Sequence, residues 1–253
     1  MNAKVATIVT GGGRGIGRAI AERMAAETAV FVVGRTEADL VGLCDVVVKA
    51  GGSADYLVGD VSSPATADAA LTKLTANGLS VLNLVCNAGI GTSGAAHTMD
   101  KQAWRDMFAV NVNGAMWFIQ ACLPGMIERK SGSICVISSV AGVKGFKYQT
   151  AYCATKHALV GMARSIALEV AKHNIRVVPI CPSFVESEMT DRTIAGLVKH
   201  RGITAEAARK IVEDTNPQKR IIPASEVADM VALVCAGRVP SLNGNPLMMT
   251  GGE

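Results

Sequence analysis

Val5-Ala6-Thr7-Ile8-Val9-Thr10-Gly11-Gly12-Gly13-Arg14-Gly15-Ile16-Gly17 decides how this chain folds. Its first six residues are apolar or β-branched and suit a buried strand. Glycines at 11, 15 and 17, with two more at 12 and 13, allow a tight turn and close backbone approach. From Gly15 the pattern becomes helical. A helix opening out of such a turn presents free N–H groups, which suit a pyrophosphate. The spacing G-x-x-x-G-x-G differs from G-x-G-x-x-G, but the mechanics are the same.

The alternation continues outward. Strands are expected at 5–10, 30–33, 54–58, 82–87, 133–138, 175–181 and 247–250. Helices are expected at 15–26, 37–50, 64–76, 101–122, 152–173, 204–213 and 225–236. Ser63 is a candidate N-cap for the helix that Pro64 opens. Alternating strands and helices predict parallel pairing through right-handed crossovers. The expected fold is α/β: one doubly wound parallel sheet of about seven strands, flanked by helices on both faces. Continuous apolar strands such as Ala29-Val30-Phe31-Val32-Val33 fit a sheet covered on both sides. The segment 182–202 reads as irregular. It follows the sixth strand, where ligands of open α/β sheets bind, and 183–213 is expected to act as a substrate lid.

Composition narrows the function. The 253 residues suit a single domain with a large core, without linker or repeat. Net charge is +4 and the basic residues are scattered, which argues against nucleic acid. No apolar run is long enough to span a membrane, and Met1 to Val9 is too short for a signal peptide. Seven cysteines lie mostly in apolar runs, none as C-x-x-C. They read as buried thiols in a reducing, cytoplasmic compartment, with no metal expected.

Tyr152 and Lys156 stand four residues apart in a helical stretch, with Cβ atoms ~5–6 Å apart on one face. A phenol titrates near ~10, and an ammonium one turn away is expected to lower that value. Tuned towards neutrality, Tyr152 becomes a usable general acid or base. Alone, such a pair occurs on many helix faces, so the surrounding residues decide.

At the tip of the second strand an acidic residue would bond a ribose 2′-hydroxyl, and an Arg would hold a 2′-phosphate. Here the strand ends Val33-Gly34-Arg35-Thr36, and Glu37 and Asp39 fall in the next helix. Arg35, helped by Arg14, favours NADP(H), with NAD(H) the alternative. Asp60-Val61 and Asn87-Ala88-Gly89 follow the third and fourth strands, where such a cofactor would lie.

With these residues assembled, the chain resembles the classical short-chain dehydrogenase/reductase family, a Rossmann-type fold, over essentially its whole length (1–253). The matching elements are Thr10-Gly11-x-x-x-Gly15-x-Gly17, Asp60, Asn87-Ala88-Gly89, Asn111, Ser139, Tyr152-x-x-x-Lys156, Pro182 and Thr250-Gly251-Gly252. The resemblance implies an oxidoreductase in which Tyr152 exchanges a proton with the substrate oxygen and Ser139 hydrogen-bonds the same oxygen. Lys156 would bond the nicotinamide ribose and lower the Tyr152 pKa, and Asn111 would hold a relay water. Gly11, Gly12, Gly13, Arg14 and Ile16 would line the phosphates, and Asp60 and Val61 would flank the adenine. Asn87 would support the ribose, and Val185 and Ser187 would touch the carboxamide. The chain departs from the family pattern at Cys86, Val178, Ser183 and Met248-Met249, none of them a catalytic position.

Gln149 resembles a substrate-facing position of 3-oxoacyl reductases in that family. The expected substrate is a small carbonyl or alcohol, with a 3-oxoacyl thioester leading. Arg129, Lys130 and Lys172 are a candidate basic patch for its carrier, though solvated surface charge is the better explanation of them. The apolar helix 158–171 and helix 101–122 suggest a subunit interface, and the resemblance implies a homotetramer. The competing readings are an NAD(H)-dependent alcohol dehydrogenase and a non-catalytic nucleotide sensor.

Overall fold

The computed structural model describes residues 4–252. The first three residues of the segment tested for a signal peptide, and Glu253 at the end of the domain, lie outside them. The sheet contains β1 (Lys4–Thr10), β2 (Ala29–Gly34), β3 (Ala54–Val58), β4 (Leu79–Cys86), β5 (Gly132–Ile137), β6 (Ile175–Pro182) and β7 (Leu247–Met249). All pairings are parallel, in the order β3-β2-β1-β4-β5-β6-β7. The chain reverses direction across the sheet between β1 and β4. A crevice opens there outside the carboxyl ends of the strands.

Alternate strand residues feed two cores, as the period of two requires. Ile8, Phe31 and Leu84 join one cluster, and Val9, Val30, Val32 and Val85 join the other. The first is covered by α3 (Pro64–Ala76), α5 (Gly114–Arg129) and α6 (Thr150–Val170) through Leu74, Phe118 and Leu159. The second is covered by α1 (Gly15–Met24), α2 (Glu37–Lys49) and α9 (Ala224–Cys235) through Ile20, Leu40 and Val231. Burial on both faces is why the strands read as unbroken apolar runs.

Three expectations need correction. The helix expected at 101–122 is α4 (Lys101–Phe108), a π turn at Ala109–Asn113, and α5, which continues past Pro124 to Arg129. Full burial of Met126 holds that last turn against the core although proline removes a hydrogen bond. The segment read as irregular contains α7 (Glu188–Arg201), followed by α8 (Ala205–Asp214). Ser187 caps α7 by accepting from the Thr190 N–H. Glu188 and Asp191 sit in its first turn, Lys199, His200 and Arg201 in its last, and Gly202 ends it at φ +64°. These charges complement the helix dipole. Ser63 occupies the N-cap of α3, but its side chain accepts no hydrogen bond there.

Candidate active site

The glycine turn closes against β4. Gly11 and Gly15 adopt φ +66° and +52°, open to glycine at little strain. A Cβ at Gly17 would stand 2.1 Å from the Gly11 carbonyl oxygen, so only glycine lets α1 start this close to the turn. Asn87 donates its side-chain amide to the carbonyls of Thr10 (2.9 Å) and Gly11 (3.2 Å). The Thr10 hydroxyl accepts from the Asn87 and Ala88 N–H groups at 3.0 and 3.1 Å. Asn87 was expected to support a ribose; its amide ties the end of β4 to the phosphate loop.

The N-terminus of α1 has no side-chain cap and no acid in its first turn. Its first N–H groups and positive dipole end therefore suit a pyrophosphate. Arg14, at that N-cap, pairs at 2.8 Å with Glu188 on α7. The lid thus rests on the glycine loop, with a Cβ at Gly15 only 3.6 Å from Ser187 Cβ. Arg14 was expected to help Arg35 hold a 2′-phosphate; its exposed guanidinium pairs here with Glu188 of the lid.

Arg35 directly follows β2 and acts electrostatically on Asp60. Bonds from the Ser62 N–H and hydroxyl hold the Asp60 carboxyl below its usual value, and Arg35 adds a smaller effect. Glu37 takes no part there, because it accepts from the Tyr56 hydroxyl at 3.1 Å. Val61 is buried against Gly114. Val185 and Ser187 lead into the lid, where the Val185 carbonyl accepts from Thr190 and Ser187. Gln149 is half-buried at the N-cap of α6, with no side-chain capping bond.

Ser139 follows β5, and its hydroxyl oxygen accepts from the Ala141 N–H at 3.1 Å. Ser139 also stands close enough to Tyr152 to oppose the rise in its pKa. Lys156 is 5% exposed; its Nζ donates to the Ile137 carbonyl at 2.9 Å and lies 5.5 Å from the centre of the Tyr152 ring. The Ser138 hydroxyl donates to the Lys156 carbonyl at 2.9 Å, fixing α6 to the strand end. A Cβ at Gly91 would stand 3.1 Å from Tyr152 Cδ2 and 3.8 Å from Met189 Sδ, so the loop after β4 and the lid both close on the phenol.

The electrostatics correct one expectation. Desolvation pushes Tyr152 up to about 12, with Ser139 opposing and Cys153 adding to the rise. Desolvation also lowers Lys156 to about 8. Lys156 was expected to lower the phenol. Burial is the leading influence on the phenol, and Lys156 is not among the groups that shift it.

Asn111 lies in the π turn, a distortion frequent at functional sites. Its side chain bonds Ile90 and Thr155. Asn111, expected to hold a relay water, thus has its side-chain amide engaged by protein partners. Arg129 is exposed and donates one guanidinium N–H to the Val81 carbonyl. Gly91, Thr155, Glu188 and Met189 complete the site and were not singled out from sequence. Thr155 lies within the quoted Tyr152-to-Lys156 motif, while the other contacts follow from tertiary packing.

A parallel doubly wound sheet, a glycine turn at a bare helix N-terminus, and a Ser–Tyr–Lys group across the crevice define a nucleotide-dependent oxidoreductase. A family model described as short chain dehydrogenase matches residues 4–197, and the chain belongs to that family. The 3-oxoacyl-[acyl-carrier-protein] reductase FabG of Escherichia coli (strain K12) is 32% identical over 245 residues, 97% of this chain and 95% of that protein. Galactitol 2-dehydrogenase of Rhizobium johnstonii is 35% identical over 245 residues, 94% of this chain and 90% of that protein. A variant of actinorhodin polyketide ketoreductase solved with NADPH superposes with a TM-score of 0.94 at 30% identity, covering 98% of this chain and 97% of that one.

Proposed function

We propose that the protein is an NADP(H)-dependent reductase that converts the ketone of a 3-oxoacyl thioester, or a related ketone, to a secondary alcohol. The observation that carries this reading is the buried Tyr152 beside Ser139, with Lys156 Nζ 5.5 Å from the centre of its ring. Bound NADPH would supply the hydride, its pyrophosphate on the α1 N-terminus and its 2′-phosphate beside Arg35. The bare helix end and the glycine-only approach at Gly17 fit that cofactor.

The protein's share of the chemistry is to hold the carbonyl and provide its proton. The hydroxyls of Ser139 and Tyr152 donate to the oxygen as negative charge builds on it. Tyr152 then gives up its proton, and the Lys156 ammonium stabilises the phenolate left behind. Asn111 supports proton resupply from the π turn. The reductases among the relatives support a keto substrate, whereas the galactitol enzyme supports a polyol.

The seven free cysteines support a reducing, cytoplasmic setting. Among the described residues no helix is long and apolar enough to cross a membrane. A homotetramer is supported by Leu168 on α6, 84% exposed although its helix is otherwise largely core. Light scattering tests that assembly. An NADPH-consumption screen over acyl thioesters, small ketones, sugars and steroids tests the substrate. Thioesters are expected to lead, and a clear preference for a polyol with NAD would overturn the reading.

A further inference from the structure

Asn111 and Thr155, 1% and 0% exposed, anchor a buried hydrogen-bond chain that crosses three elements of the site. The Asn111 amide pairs with Ile90 as a second peptide group would. Its Oδ1 accepts from the Ile90 N–H at 2.8 Å, and its Nδ2 donates to the Ile90 carbonyl at 2.9 Å. An amide nitrogen has a second hydrogen to place. Here it goes to Thr155 Oγ1 at 3.1 Å, and the Thr155 hydroxyl donates onward to the Tyr152 carbonyl at 2.8 Å. Thr155 thus both accepts and donates, roles that a buried alanine or valine cannot fill.

The chain joins the loop after β4, the π turn and α6. That loop forms the wall against the phenol, because a Cβ at Gly91 would stand 3.1 Å from Tyr152 Cδ2. Moving the Asn111–Ile90 unit along α6 therefore moves the wall that faces the reacting hydroxyl. We propose that Thr155 is a positioning residue: it sets the register of the π turn and of loop 87–91 against the catalytic helix, so that Tyr152 meets the substrate oxygen in a fixed frame. The activity arm of the test rests on the reductase reading; the exchange arm does not.

Thr155→Val keeps the volume and removes the hydroxyl, whereas Thr155→Ser keeps the hydroxyl. Purified Thr155→Val is expected to lose ~10-fold in kcat with KM for NADPH nearly unchanged, since small misplacements at a reacting centre act on the chemical step. Its solvent deuterium isotope effect on kcat should rise, and the Ile90 amide should exchange with deuterium faster than in wild type. Thr155→Ser should restore all three. Wild-type exchange at Ile90 in Thr155→Val, or equal impairment in Thr155→Ser, overturns the proposal. Should Thr155→Val fail to fold, Thr155→Ala gives the same comparison. A wild type that reduces no carbonyl defeats the reductase reading, and exchange at Ile90 then decides the positioning role alone.

Discussion

Replacing Lys156 with methionine should make this protein more stable and inactive. Burial lowers the ammonium from 10.5 to about 8. At pH 7 that gap means the folded state holds the charge at ~3 kcal/mol less favourably than the unfolded chain does. Methionine fills similar space without the charge. It also leaves the Ile137 carbonyl, 2.9 Å from Nζ, without that donor, a loss of ~1 kcal/mol. The net gain is ~2 kcal/mol, a rise of ~4–8 °C in Tm for a chain of this size.

The sign depends on pH. Because the folded value is depressed, the unfolded chain binds more protons between about 8 and 10.5. Wild-type stability from this residue therefore rises through that window, and the variant shows no such rise. The advantage of Lys156→Met should shrink above pH 8 and reverse near pH ~10, where the neutral amine still bonds Ile137. Urea unfolding followed by circular dichroism, at fixed protein concentration and at pH 7 and 10, measures both differences. A variant less stable at pH 7, or a difference equal at both pH values, would refute the reasoning.

Gly17→Ala places a methyl group 2.1 Å from the Gly11 carbonyl oxygen. Binding of NADPH, followed by its fluorescence, should weaken at least ~10-fold while the far-UV spectrum is kept. Arg35→Ala should raise KM for NADPH ~10-fold and leave NADH nearly unchanged, because a charged hydrogen bond to the 2′-phosphate is lost. Equal effects on both cofactors would remove Arg35 from that role. Glu188→Gln breaks an exposed ion pair worth ~0–1 kcal/mol and releases Arg14. NADPH should bind up to ~5-fold tighter with NADH unchanged. Weaker binding of both cofactors would mean that the pair instead clasps the lid shut.

The order of elements was legible because most strands carry a short apolar run, such as Val30–Val33, and the crossovers are amphipathic stretches. β3 and α3 fall on the expected residues. The lid helix α7 was missed although Ser187, its end charges and Gly202 all mark it. Its inner face is only half-buried, so the apolar period that identifies a helix is weak. The π turn was invisible for another reason: one extra residue within a helix leaves composition unchanged.

At the site, the catalytic residue types could be read but not their environment. The spacing of Tyr152 and Lys156 suggested a lowered phenol. The fold buries both groups, and desolvation reverses the sign for Tyr152. Likewise Arg14 and Asn87 have the right positions in the chain, yet their partners lie on α7 and β1. Such pairings depend on which strand ends the sheet order brings together.

The central claim is that Tyr152 delivers a proton to a substrate carbonyl. Its most direct test is NADPH oxidation with an acetoacetyl thioester by wild type and by Tyr152→Phe, with cofactor binding measured on the same samples. The account predicts a loss of ~10²–10⁴-fold in kcat with NADPH affinity largely kept. Turnover by Tyr152→Phe at the wild-type rate would contradict it.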